Sequence, residues 1–383
     1  MIRIGMIVPS SNTTLEGTTT RLLAGRDDVT FVSTRIPVQA ITADGSGARF
    51  DADVMVAAAG LLADAKVDVI VWNGTAGSWL GVDHDRAVCD AITSQTGLPA
   101  TTSTLAILQA CNDFGVTRLA IATPYTADVV ERIIAEYERH GITTTAHADW
   151  GLTENYRFAA RPREDVEALL LEACASGDPH AVALICTNVD GAVVSEAVEA
   201  KIGIPVIDSI AATLWWAMEV AGAPDASIQG WGAFLAQASF RHRARAVVTE
   251  LRNSTGCDRT TLRVDDDRLG LHVDLCAAES CAEGVRSIQH DPTLDQRALE
   301  TVRWIDETRR VLVQPAFTEH PFPPQALRDV YGVKAQVLGP VERDGAVTAW
   351  LSAHSLDERP WSPQDLAAMD TARAAVGELL EYR

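Results

Sequence analysis

Along the first ~220 residues, short unbroken apolar runs alternate with stretches in which apolar side chains recur every three or four positions. The first pattern predicts strands buried on both faces, and the second predicts amphipathic helices. Strands are expected near residues 2–8, 30–36, 67–72, 98–101, 118–122, 143–149, 181–186 and 204–207. Helices fall between them, as where Val166, Leu169, Leu170 and Ala173 keep helical spacing ahead of the strand beginning at Ala181. Such alternation is the mark of a parallel sheet wound with helices.

The pattern occurs twice. A strand, a corner and a helix lead to Gly97-Leu98-Pro99-Ala100-Thr101 and an apolar helix, and the same succession leads to Gly203-Ile204-Pro205-Val206-Ile207 and an apolar helix through Trp215 and Trp216. Further upstream, the strand ending in Pro9-Ser10-Ser11-Asn12 has its partner in the strand ending in Pro124-Tyr125-Thr126. Two lobes are therefore expected, about residues 1–115 plus 208–222 and residues 116–207, within a region spanning 1–232. Their carboxyl strand ends should face a shared cleft, lined by the corners at 9–13, 74–78, 123–126 and 186–188. The character changes after Ala221. A connecting helix is expected over 233–252, and residues 253–383 read as a separate α+β module. Its strands are expected at 260–264, 269–275, 311–314, 335–340 and 347–353, with a closing helix from Pro363.

The two inner corners differ in one telling way. Ile70-Val71-Trp72-Asn73-Gly74-Thr75 ends in a glycine where Ala183-Leu184-Ile185-Cys186-Thr187-Asn188 carries a thiol. Two facing acid/base groups can pass a proton from one side of a carbon to the other, whereas one serves a single face. Cys186 is thus the candidate catalytic residue, although a free cysteine after an apolar strand is also a common core residue. The run Pro9-Ser10-Ser11-Asn12-Thr13-Thr14 opens a helix, so its hydroxyls, its amide and the free N–H groups of a first turn would form a neutral cradle for a carboxylate. Ordinary N-capping would explain one or two of these residues. Thr75, the backbone of Gly74 and Ala76, and Tyr125 would add donors that meet the charge of an enediolate. Asn155 reads by itself as a turn residue, Asp83 and His84 as a helix start, and the Trp215-Trp216 pair as core or interface.

Composition narrows the partners. Of 383 residues, 52 are acidic and 32 basic, and the net charge of −20 argues against nucleic-acid or membrane-surface binding. The seven cysteines lack metal-site spacing and number one too many for a disulfide frame. The chain enters its first strand pattern at once, so a cytoplasmic protein is expected, and a homodimer or higher homo-oligomer follows from the prevalence of symmetric assemblies. No glycine-rich nucleotide loop is present.

These residues resemble the Asp/Glu racemase superfamily, in its branch of maleate cis-trans isomerases and arylmalonate decarboxylases. The resemblance covers about residues 1–235 and is most specific in Ile4-Gly5-Met6-Ile7-Val8-Pro9-Ser10-Ser11-Asn12-Thr13-Thr14-Leu15-Glu16. It implies an α/β fold of two flavodoxin-like parallel-sheet lobes related by a pseudo-twofold axis, and chemistry that needs no cofactor. It also implies substrate-binding roles for Asn12, Tyr125 and Asn155, with Cys186 at the second-cysteine position. The first-cysteine position is Gly74, as in the decarboxylases, while Ala76 stands where a hydroxyl residue is expected and Thr187 where a glycine is. Residues 250–383 resemble a GAF domain through Gly332 to Val341, Gly345 to Ser352 and Trp361 to Leu366, which implies a bound small ligand or a dimerisation role.

The expected function is a cofactor-independent decarboxylase of a malonate-type dicarboxylate. One carboxylate would lie against Ser11, Asn12, Thr75 and Tyr125, and Cys186 would protonate the enediolate. The alternatives are isomerisation of an unsaturated dicarboxylate and a non-catalytic carboxylate sensor coupled to the C-terminal module. On this reading, replacing Gly74 with cysteine should supply the missing second thiol.

Overall fold

A computed structural model describes residues 1–43, 52–291 and 295–381. The chain divides into two compact units, Met1–Ala236 and Gln237–Arg383.

The first unit holds two four-stranded parallel sheets of identical topology. Strands β1 (Ile2–Pro9), β2 (Val29–Ile36), β3 (Val69–Trp72) and β4 (Ala100–Thr102) stand in the order β2-β1-β3-β4. Strands β5 (Arg118–Thr123), β6 (Thr143–Asp149), β7 (Ala181–Leu184) and β8 (Val206–Asp208) repeat it as β6-β5-β7-β8. The sequence logic is plain: β3 and β7, central in their sheets, are four-residue apolar runs buried at every position, while the edge strands β2 and β6 mix in threonine, serine and arginine. The α/β fold of two flavodoxin-like lobes is therefore the one observed.

Each lobe ends on a short strand whose last residue caps the next helix. Thr102 accepts from the Leu105 N–H to open helix Ser103–Asp113, and Asp208 accepts from Ile210 and Ala211 to open helix Ser209–Val220. These two helices pack on each other, and the second also meets β3, so the chain returns to the first lobe after completing the second. Asp83 and His84 lie in the first turn of helix Val82–Thr96, and Trp215 is buried with Phe114 and Phe234 around it.

The second unit is built on one antiparallel sheet. Strands β9 (Arg259–Val264), β10 (Cys276–Cys281), β11 (Leu312–Gln314), β12 (Ala335–Arg343) and β13 (Ala346–Ser355) stand in the order β10-β9-β13-β12-β11. One face of the sheet is aliphatic: Leu262, Val264, Val337, Leu351 and Ala353 pack beneath Phe240, Val248, Met369 and Val376. The last four belong to helices Ala233–Thr255 and Pro363–Glu381.

The strand expected at 269–275 is not there. Asp266 instead accepts from the Arg268 N–H to cap a 3-10 turn over Asp267–Leu269, and Gly270 follows with φ of 61°, a conformation that ends extended structure. The strand lies one step later, at Cys276–Cys281. Among the described residues, no helix is long and apolar enough to cross a membrane.

Candidate active site

Cys186 follows β7 by two residues and is almost fully enclosed, with 2% of its surface exposed. Its surroundings are polar. The sulfur accepts from the Asn188 N–H at 3.4 Å and is hydrogen-bonded to the Tyr125 hydroxyl, and the Cys186 N–H is held at 3.1 Å by Ser209 Oγ. The Ser209 hydroxyl donates in turn to the Leu184 carbonyl, so the corner is braced from behind by the start of helix Ser209–Val220. Burial pushes the Cys186 thiol up to about 12, while the Tyr125 hydrogen bond and the Asn188 N–H pull the other way. The sulfur is therefore a protonated, neutral thiol at physiological pH.

Tyr125 joins the two lobes. It comes from the loop after β5, yet its hydroxyl lies 2.9 Å from Thr75 Oγ1 in the corner after β3. Edge contacts with Trp79 and Phe158, at ring-centre distances of 5.1 and 5.6 Å, fix the phenol ring. Burial raises the phenol well above its ordinary value, so it too stays a donor. Around this trio, the backbone N–H groups of Thr75, Ala76 and Thr187 are bonded to no backbone acceptor among the described residues. Thr75, Ala76 and Thr187 are themselves buried. Buried N–H groups are almost always satisfied, and these belong to the thiol's corner and its counterpart.

A second cluster clasps the lobes together beside this one. Asn12 Nδ2 donates to the Thr187 carbonyl at 3.0 Å and to Thr187 Oγ1 at 3.2 Å, and that hydroxyl donates to the Asn73 carbonyl at 2.9 Å. Asn188 Oδ1 accepts from the Thr13 N–H at 2.9 Å, and Asn188 Nδ2 donates to the Asn155 carbonyl at 2.7 Å. Asn155 Nδ2 closes the circuit by donating to Ser11 Oγ at 2.8 Å. Of the residues singled out in the sequence, Ser11, Asn12, Asn155 and Thr187 are thus brought together in one hydrogen-bonded cluster.

The loop is arranged differently from the free cradle expected, however. Asn12 Oδ1 takes the N–H groups of Thr14 and Leu15, each at 3.0 Å, and Asn188 takes that of Thr13, so the first-turn donors are spent inside the protein. Ser10 stands apart. It is exposed, and its hydroxyl accepts from the Val38 N–H at 3.1 Å and donates to the Val38 carbonyl at 3.2 Å.

Two residues were not marked as site residues in the sequence. Asn188 turns out to be the hub of the interlobe clasp, whereas the sequence places it only within the cleft-lining corner at 186–188. Trp72 is the other: a Cβ added at Gly74 would fall 2.2 Å from its Cζ2 and 2.3 Å from its Cε2. The indole occupies the space that the missing side chain would need. Among the described residues, no three His, Cys, Asp or Glu side chains gather closely enough to hold a metal ion.

Known proteins resemble the chain in both units. Residues 240–378 match the GAF domain model, and the second unit is accordingly a GAF domain. Arylmalonate decarboxylase from Bordetella bronchiseptica is 29% identical over 235 residues, which is 60% of this chain and 94% of that protein. A maleate isomerase from Nocardia farcinica is 26% identical over 62% of this chain and 96% of its own length. Among solved structures, unliganded arylmalonate decarboxylase superposes with a TM-score of 0.53 at 27% identity, covering 61% of this chain and 99% of that one. The maleate isomerase Iso from Pseudomonas putida S16 gives 0.57 at 26%, covering 62% and 99%. The arylmalonate decarboxylase model itself matches residues 4–235, and by that match the chain belongs to the arylmalonate decarboxylase family, as a cofactor-free decarboxylase or isomerase.

Proposed function

We propose that the first unit decarboxylates a malonate-type dicarboxylate and that Cys186 delivers the proton that replaces carbon dioxide. The carrying observation is a single thiol held neutral, with its partner Tyr125 hydrogen-bonded to Thr75. One carboxylate of the substrate would lie against Thr75 Oγ1, the Tyr125 hydroxyl and the N–H groups of Thr75, Ala76 and Thr187. When the bond to the other carboxylate breaks, its electron pair moves into the remaining carboxylate and gives carbon dioxide and an enediolate. The negative charge gathers on the oxygens that these donors face, and fixed dipoles already oriented toward it lower the barrier. The α-carbon then takes the proton of the Cys186 thiol, and the thiolate recovers one from water. A proton donor must be protonated beforehand, and a thiol near 12 is.

Isomerisation of an unsaturated dicarboxylate is the second reading, favoured by the maleate isomerases among the relatives. It calls for a thiolate nucleophile, which the same burial disfavours. Incubation with substituted malonates and with maleate, following gas and proton uptake together, separates the readings. Carbon dioxide release supports decarboxylation, fumarate without gas supports isomerisation, and tight binding without either supports a carboxylate sensor. Cys186→Ala should lower decarboxylation by at least about 100-fold, the low end of what general acid catalysis contributes. Full turnover by that variant would overturn the assignment of the proton donor.

A further inference from the structure

The two faces of the C-terminal sheet are chemically opposite. Pairing of β13 with β9 sets Trp350 beside Arg263, Ser352 beside Thr261 and His354 beside Arg259, while β12 adds Gln336 and Leu338 on the same side. This face borders a cavity of about 60 Å³ that is partly open to solvent, space for several water molecules or for the head of a small acid whose body reaches toward the mouth.

Arg263 is the anomaly in it. The side chain lines the cavity with the residue only 5% exposed, and its hydrogen-bond partner is the Val273 carbonyl, 2.6 Å from Nη1. Among the described residues no carboxylate lies within ion-pair distance of it. The contrast with Arg259 is informative, since that guanidinium, fully buried, has Glu279 3.4 Å from its Nε. Asp291 also borders the cavity, but it accepts the Tyr331 hydroxyl. Further unmet capacity lies on the same wall: Nδ1 of His354, which also lines the cavity, is buried without a hydrogen-bond partner. Burial, reinforced by Arg259 and Arg263, pushes the His354 imidazole down to about 3, so it is neutral and adds no second positive charge. A buried charge left uncompensated is costly, and proteins retain one where a ligand completes it.

We propose that this cavity is a binding site for a small organic carboxylate with an apolar body, its anionic end on Arg263 and the hydroxyls of Thr261 and Ser352, its body against Leu299, Val302 and Leu338. A planar guanidinium matches a carboxylate in a fork geometry. The aliphatic lining on the remaining walls favours a hydrocarbon-bearing acid over an inorganic oxyanion. The site is separate from the catalytic corners and does not depend on what they do.

Titration calorimetry of the full chain with phenylacetate, hexanoate and inorganic phosphate tests it. The catalytic cleft also attracts carboxylates, so the titration is repeated in Thr75→Val, which alters the cleft, and in Arg263→Met, which alters the cavity. The expected result is a binding event for phenylacetate or hexanoate that survives Thr75→Val and weakens at least tenfold in Arg263→Met, with malonate turnover unchanged in the latter. Without ligand, Arg263→Met should melt above the parent protein, because a buried unpaired charge has been removed. Lower melting would mark the guanidinium as structural and overturn the proposal. So would binding that Arg263→Met leaves intact, phosphate binding as tight as the organic acids, or no event at about 10 mM acid, ten times a millimolar Kd. Thr261→Val, which removes a donor without touching the charge, gives an independent reading and should weaken binding by a smaller factor.

Discussion

At the scale of single residues, the most consequential pairing is Trp72 with Gly74. Sequence symmetry alone suggests that Gly74→Cys would restore a second thiol opposite Cys186. The indole forbids it as the protein stands, because the new Cβ would approach three of its ring atoms within 2.7 Å. These are atoms of a rigid, buried ring and not the tip of a flexible chain, so relief requires rotating Trp72 out of a packed site. Overpacking of this kind costs about 1–3 kcal/mol, and a clash this deep belongs at the upper end. Gly74→Cys should therefore lower unfolding stability by ~3 kcal/mol in denaturant titrations. It should add no exchange of solvent deuterium into the α-position of product, whereas Trp72→Leu combined with Gly74→Cys should recover part of the stability. Deuterium incorporation in the single variant at the rate of the double one would show that the indole is no obstacle. Trp72 thus closes off the position where a second thiol would stand, as the single-thiol mechanism proposed above requires.

At the scale of elements, the corner that carries Cys186 is braced by the start of helix Ser209–Val220. Asp208 caps helix Ser209–Val220 through Oδ1, at 3.0 Å from the Ile210 N–H and 2.9 Å from that of Ala211, but Oδ2 is buried without a hydrogen-bond partner. Burial raises the carboxyl to about 7, the Asp190 charge adds to this, and the capping N–H groups oppose it. The folded state therefore holds this proton more tightly than the unfolded chain, whose carboxyl titrates near 3.8, and stability falls as pH rises between those values. Asp208→Asn keeps a capping oxygen and removes the titration. Its gain over the parent should grow from about pH 5.5 to pH 7 and then level off, with an upper bound of ~4 kcal/mol set by three pK units. Chemical unfolding at the two ends of that range checks it, and a gain that is constant with pH would mean that Asp208 is not the titrating group. The same elements show what a sequence can and cannot disclose. Strands β3 and β7 were legible because every position is apolar, so the corners that carry Thr75 and Cys186 could be placed at their ends, while Tyr125 came from the repeat, in the loop after β5. The strand Cys276–Cys281 was not, since its cysteines, alanines, glutamate and serine carry no β-branched signal, while Leu269, Leu271 and Val273 alternate like a strand but bury themselves from a turn. The roles of Asn188 and Trp72 were missed for a related reason: an asparagine closing a corner carries no sign of its partners in the other lobe, and a tryptophan ending an apolar run reads as core.

At the scale of the molecule, each unit has its own core. Residues 1–236 bury their aliphatic side chains around two parallel sheets, and residues 237–383 around one antiparallel sheet, with the boundary in the first turn of helix Ala233–Thr255. A core of that size can support a cooperative transition by itself. Scanning calorimetry of the full chain should therefore resolve two transitions, and the substitutions argued above should sort between them. Asp208→Asn at about pH 8 should raise the transition of the first unit alone, and Arg263→Met that of the second alone, each by several degrees for a change of 1–2 kcal/mol. A carboxylate ligand held by Arg263 should then raise the second transition by mass action, in proportion to the logarithm of its concentration above Kd, and leave the first in place unless the catalytic cleft binds it too. If one substitution moves both transitions together, the two cores melt as a single cooperative unit, and occupancy of the C-terminal cavity would be felt energetically at the corner that holds Cys186.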